Sequence, residues 1–228
     1  MENGYERSLV KRVVDRLGKG IVVGDYEDNL LPPQIVLSKK YGVSLTIMRE
    51  ALSILTSRRI LDVKQKTGTR VKPVHDWVIF DDVVAEWRAN ANYDPEFLRN
   101  LIELRTFVDP RSAFLAATRA NRQHRLAIAA CYQNLVHAGS SASLQALAED
   151  ELRNAIVEAS CDALLKQMGR AVQIGLRSMK PDVREPIFVA ESLSAHYGKI
   201  IGAIENHDAN GAKVAMTQLL TNATTVPP

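Results

Sequence analysis

The sequence predicts a mainly α-helical chain in two parts: an N-terminal unit of three helices plus a two-stranded hairpin, then an all-α antiparallel bundle of helices. Three observations carry that expectation. Apolar residues recur at the i, i+3, i+4, i+7 spacing of amphipathic helices along most of the chain. Strand-like, β-branched sequence is confined to one stretch, ILDVKQKTGTRVKP, over residues 60–73. The charge is also unevenly spread: residues 1–75 hold fourteen Lys or Arg against eight Asp or Glu, a net of +6, whereas residues 76–228 hold fifteen against eighteen, a net of −3.

Val10, Val13, Val14 and Leu17 form the first apolar stripe, and Gly18 and Gly20 are expected to stop that helix. After a loop through Gly24 and Asp28, Pro32 and Pro33 can only open a helix, so QIVLSKKY reads as a short second one ended by Gly42. Ser44 is a good N-cap for a third, with Met48, Ala51, Leu52 and Leu55 on one face and Thr46, Arg49, Glu50 and Ser53 on the other. The hairpin follows, its polar turn running from Lys66 to Gly68. Pro73 ends the second strand, which sets the expected boundaries at 1–73 for the first domain, 74–78 for a linker and 79–228 for the bundle. Within the bundle, helical periods fall at about 79–91, 95–119, 121–137, 142–160, 162–179, 186–206 and 208–222.

A chain of 228 residues, 46% hydrophobic and 24% charged, is long enough for two cores. A local positive field is what a phosphate backbone requires, and the weakly acidic remainder argues against the whole chain coating nucleic acid. Two short helices joined by a glycine-containing turn present the second to the DNA major groove, and a hairpin with basic flanks would be the wing of a winged helix-turn-helix. Cys131 and Cys161 stand thirty residues apart, a spacing that matches no zinc or redox motif and implies a reducing compartment. The start, MENGYERSLV, is acidic where a signal peptide would be basic, and no apolar run approaches the roughly 18 to 20 residues of a membrane span, so a cytoplasmic protein is expected.

The stretch LLPPQIVLSKKYGVSLTIMREALSILTSRRILDVKQKTGTRV resembles the DNA-binding domain of the GntR family: LP opens helix two, GVS precedes the recognition helix, REAL lies within it and GT-x-V closes the wing. ELRTFVDPRSAFLAATRA, AIVEAS and HYGKIIGAIENHDANGAKVAM resemble the FadR-type effector domain, FCD. The segment DDVVAEWRANANYDPEFL is most similar to regulators of sugar-acid operons such as the galactonate-operon repressors. The resemblance implies a ligand-responsive transcription regulator, read as a repressor with activation left open, a homodimer on a near-palindromic double-stranded operator, with a small carboxylate or sugar acid as effector and no membrane partner.

On the recognition helix, Arg49 is placed to grip a phosphate or a guanine edge with paired donors. The competing reading is a surface ion pair with a nearby carboxylate. Ser44 and Thr46 offer hydroxyls and helix N-terminal amides to phosphate, and Lys64, Lys66, Thr67 and Gly68 would bring the wing to the minor groove or backbone. Lys39, Lys40, Arg58 and Arg59 suit a solvated face equally well. Relatives often carry an Arg just after the Ser of GVS and a Glu-Arg pair early in helix two; Leu45, Gln34 and Ile35 stand there, so an atypical operator or weaker binding is expected.

The effector domain's family commonly holds a divalent metal with one Asp and three His. The matching positions read Glu149, Arg153, His196 and Leu219. One imidazole and one carboxylate fall short of the three or four protein ligands usual for zinc, so no metal cofactor is expected, with Glu149 and His196 the only remaining candidates. Arg153 in the metal's seat would instead offer an anionic effector a bidentate partner, while the competing reading is an ordinary i, i+4 ion pair of Glu149 with Arg153. His196 shares a stripe with Val189, Leu193 and Ile200 and is expected to face inward. Arg105, in ELR, matches a residue the family turns toward effector carboxylates. The expected effector-binding set is therefore Arg105, Glu149, Arg153 and His196, and no catalytic residue is expected. Two other readings stay open: an effector-independent DNA-binding protein, and a helical-bundle enzyme using Glu149 and His196 as general acid and base.

Overall fold

The computed structural model describes residues 2–64, 68–90, 95–139, 141–177 and 193–223. It divides into two compact units, Met1–Tyr93 and Asp94–Pro228.

In the first unit, α1 (Glu2–Val22) buries Val10, Val13, Val14, Leu17 and Ile21 along one stripe. The helix runs through Gly18 and Gly20 instead of stopping there. Its end is set by Gly24, whose φ of +81° is the left-handed conformation glycine adopts freely, and by the Asp25 N–H closing on the Gly20 carbonyl at 2.9 Å. Gly18 serves packing instead. A Cβ built there would lie 2.3 Å from the ring of Trp87, which is itself 1% exposed. Gly18→Ala is therefore expected to destabilise this unit: overpacking costs about 1–3 kcal/mol, against the roughly 1 kcal/mol that alanine gains over glycine in a helix interior. A denaturation midpoint raised by the substitution would refute that assignment.

Helix α2 (Gln34–Tyr41) starts behind Pro33 and ends at Gly42, φ +63°. Helix α3 (Leu45–Ser57) is capped by Ser44, whose hydroxyl accepts the Ile47 N–H at 3.3 Å. Strands β2 (Leu61–Lys64) and β3 (Gly68–Val71) pair antiparallel, Leu61 opposite Val71 and Lys64 opposite Gly68. A third strand, β1 (Leu30–Leu31), joins the far edge of β3, in the order β1-β3-β2. Its two residues alternate as strand residues do, with Leu31 buried and Leu30 exposed, so the wing is tied into the core.

The units divide between Tyr93 and Asp94, later than the linker read at 74–78. Helix α4 (Asp82–Asn90) accounts for the difference. Asp81 caps it by accepting the Val83 and Val84 N–H groups, while its other oxygen takes Arg58 Nε at 2.9 Å. Val84 and Trp87 then enter the same core as Leu17 and Leu52. The Trp87 indole N–H donates to Asp15 at 2.7 Å. Burial pushes the Asp15 carboxyl up, but the donors Lys19 and Trp87 prevail and hold it below its usual value.

The second unit comprises α5 (Pro95–Arg119), α6 (Arg122–His137), α7 (Ala142–Ala159), α8 (Ala163–Arg177), α9 (Leu193–Glu205) and α10 (Ala209–Ala223). These match the expected helical periods from 95 onward, whereas the period at 79–91 belongs to the first unit as α4; the expected helical stretches at 178–179 and 186–192, with Val189, lie outside the described residues. Asn121 and Ser141 cap α6 and α7. Along α5, Ala113, Ala116 and Ala117 are buried, as is Ala120 just beyond its end, and such small side chains let α7, α9 and α10 approach the central helix closely. Among the described residues no helix is long and apolar enough to cross a membrane.

Candidate functional site

Two groups of predicted residues fall in different units. In the first, the amphipathic split of α3 is as its sequence implies: Met48, Ala51, Leu52 and Leu55 are buried, while Thr46, Arg49, Glu50 and Ser53 are exposed. Arg49 makes no ion pair among the described residues, so its guanidinium is open to solvent and the competing surface-pair reading has no partner to support it. The Ser44 cap satisfies the Ile47 amide and leaves those of Leu45 and Thr46, in the first turn, without an intrahelical acceptor. Lys64 is exposed and 3.2 Å from Asp62, a pair that water screens. Gly68 is exposed with φ +81°. Lys66 and Thr67 lie outside the described residues. Arg58 is structural: besides holding Asp81, it sits 5.9 Å over the Trp87 ring. Lys39 and Lys40 are exposed, and Arg59 lies 4.0 Å from Asp76.

In the second unit, helix geometry builds a buried charge network. Arg105 and Asp109 are four apart on α5, and Glu149 and Arg153 are four apart on α7, so each helix turns one cation and one anion toward the other. Arg105 Nε donates to Asp109 Oδ2 at 2.7 Å, and its Nη2 donates to Glu149 Oε1. Arg153 Nη1 reaches Asp109 Oδ1 at 3.5 Å. Tyr197, from α9, donates its hydroxyl to the same Glu149 oxygen at 2.9 Å. All four charged side chains are at most 5% exposed.

Burial of this depth opposes the charge on Arg105, but the adjacent Glu149 and Asp109 carboxylates prevail and raise it well above the ordinary value. Burial, reinforced by Glu149, likewise lifts the Tyr197 phenol well above its usual range, which keeps it a proton donor. The bonding is incomplete. Arg153 Nε and Nη2, Glu149 Oε2 and the Ser112 hydroxyl are buried without a hydrogen-bond partner among the described residues. Such groups cost about 1–3 kcal/mol each when left unmet, more when charged, so a site of this kind favours something that supplies the missing atoms.

The structure thus brings Arg105, Glu149 and Arg153 together, and adds Asp109 and Tyr197, which the sequence reading did not single out. His196 is half-buried at the margin of the inward stripe of α9, which runs through Leu193, Tyr197, Ile200 and Ile204. The α9 side chain that meets Glu149 is its neighbour Tyr197. Leu219, at the fourth metal position, is 3% exposed within the apolar core. Glu149 Oε1 is already shared by Arg105 and Tyr197, and a guanidinium stands where a ligand would be, so these residues do not suit a divalent ion. Among the described residues, no group of three or more His, Cys, Asp or Glu is placed to hold one.

Comparison with known proteins agrees with this division. Residues 100–222 match the FCD domain, and residues 9–71 match the bacterial regulatory proteins of the gntR family. The galactonate operon transcriptional repressor of Escherichia coli K12 is 25% identical over 218 residues, spanning 93% of this chain and 94% of its own. The putative L-lactate dehydrogenase operon regulatory protein of the same organism is 28% identical over 215 residues, covering 92% and 83%. Among solved structures, Lar, which controls expression of the Listeria monocytogenes agr system, superposes with a TM-score of 0.60 at 14% identity, covering 94% of both chains, a likeness of fold.

Proposed function

Because the chain belongs to the FCD-domain regulators of the GntR family, we propose that it is a repressor that binds a near-palindromic operator as a homodimer and is released by a small organic or sugar acid. A transcription regulator of this family has two tasks, and the two units divide them. The first unit offers α3, with Thr46 and Arg49 on its exposed face, to the major groove and the β2–β3 wing to the adjacent backbone. The second holds the acid at Arg105, Glu149 and Arg153, with His196 at the rim. The observation that carries the reading is Arg153, which is 1% exposed and has two nitrogens, Nε and Nη2, without acceptors among the described residues, in the domain where the family senses its effector.

The two relatives named above regulate operons whose names refer to galactonate and L-lactate, both 2-hydroxy acids. Release requires the acid to bind one arrangement of the dimer better than the other, a coupling typically worth about 1–3 kcal/mol. The enzyme reading would leave the first unit, whose sequence matches the gntR regulators, without a role, which disfavours it. Footprinting of the region upstream of the gene, with and without galactonate and L-lactate, tests the proposal. The expected result is a protected, two-fold symmetric site of two half-sites about one helical turn apart that is lost when acid is added. Protection that no acid alters would leave an effector-independent DNA-binding protein.

A further inference from the structure

Resting on that reading, we propose that the Arg153 guanidinium does the work of the missing metal: its Nε–Nη2 edge receives the carboxylate of a small 2-hydroxy acid, and Glu149 Oε2 accepts the hydrogen bond of the neighbouring hydroxyl. The unmet atoms define the ligand. Nε and Nη2 form the side edge of the guanidinium, two parallel donors whose spacing matches the two oxygens of one carboxylate. Nη1 is turned away toward Asp109, which fixes the plane of the group. Four residues earlier on the same face of α7, Glu149 has one oxygen taken by Arg105 and Tyr197 and the other unmet, so it needs a donor and rejects a second carboxylate. A 2-hydroxycarboxylate presents two coplanar acceptors beside one donor, which is the set these atoms ask for.

A metal would bind both oxygens of a hydroxy acid to one centre. Here the two functions are divided between a cation and an anion that the fold itself supplies. Arg105 and Asp109 act as positioning residues: the first holds Glu149, the second holds Arg153, and both sit on one turn of α5. The site therefore needs no ion that could be lost to a chelator.

The test uses the full-length protein purified without chelator, and calorimetry with L-lactate, galactonate and propanoate, before and after dialysis against EDTA and with zinc added back. The expected result is binding of at least one 2-hydroxy acid that is unchanged by EDTA and by zinc, with propanoate, which lacks only the hydroxyl of lactate, at least about ten-fold weaker than lactate. Binding abolished by EDTA and restored by zinc would overturn the role of Arg153 while leaving the acid-sensor reading intact. Equal binding of propanoate and lactate would overturn the role of Glu149. Absence of binding by any of the acids, with or without metal, would overturn both this inference and the acid-sensor reading. Arg153→Lys, which keeps the charge but loses the side edge, should weaken the acid at least about ten-fold; its near-ultraviolet circular dichroism establishes that the fold is retained, and undiminished binding in a folded variant would refute the assignment.

Discussion

Asp109→Ala is expected to destabilise the C-terminal unit by about 3–5 kcal/mol, seen as a lowered denaturation midpoint. Asp109 is fully buried and accepts from both arginines, Arg105 at 2.7 Å and Arg153 at 3.5 Å. Its removal leaves two guanidinium groups facing one carboxylate where water cannot replace the lost charge, and the penalty of an uncompensated buried ion far exceeds the worth of an exposed one. The contrast is internal to the chain: the Asp15–Lys19 pair, with side chains 42% and 53% exposed, should cost under about 1 kcal/mol when broken. A double substitution separates charge balance from contact. Combining Asp109→Ala with Arg153→Met removes one charge of each sign and should recover part of the loss, a non-additivity expected of residues in one network. A single-variant loss below about 1 kcal/mol would mean that solvent reaches these groups, contrary to their burial.

That network shows where a single sequence stops being informative. Arg105 and Asp109 stand four apart within ELRTFVDP, as Glu149 and Arg153 do on their helix, but local spacing gives neighbours on one helix and nothing about another. The bonds that make the site join α5 to α7 across positions 44 apart. Asp109 was thus invisible as a site residue, although its partners were found by resemblance. The His196 and Tyr197 positions differ by about 100° around α9, and an amphipathic stripe this wide does not resolve which of two adjacent residues points at the centre. Periodicity placed the long helices well, since they repeat their signal over many turns. It failed at the short or ambiguous elements: β1 has only two residues to alternate, Gly18 looks like a helix stop until Trp87 is packed on it, and α4 lies beyond a proline that resembled a domain boundary until Val84 and Trp87 were buried against α1.

On the DNA side, Arg49→Ala should weaken operator binding by about 1–3 kcal/mol per half-site if the guanidinium reads a base, and so by about 2–6 kcal/mol for a two-headed dimer. That is about thirty-fold at the least. Arg49 is exposed and makes no ion pair among the described residues, so the fold and any acid binding should be unaffected. Salt dependence identifies what Arg49 touches. A phosphate contact at each head would reduce the slope of log affinity against log salt by about 0.9 per head and weaken operator and unrelated duplex alike. A base contact would leave binding to unrelated duplex intact and collapse only the preference for the operator. The second outcome is expected, because Leu45, exposed at the start of the same helix, has no donor for a guanine and can meet only the methyl group of a thymine. On the proposed reading, with Leu45 restricted to apolar contact, hydrogen-bonded discrimination on this helix is left to its exposed polar side chains, Thr46, Arg49, Glu50 and Ser53. Leu45→Arg should accordingly shift the preferred base at one position of each half-site toward guanine in a selection from random duplexes. An unchanged preference would show that the first turn of α3 does not reach the bases, and unaltered operator binding by Arg49→Ala would remove that residue from the interface.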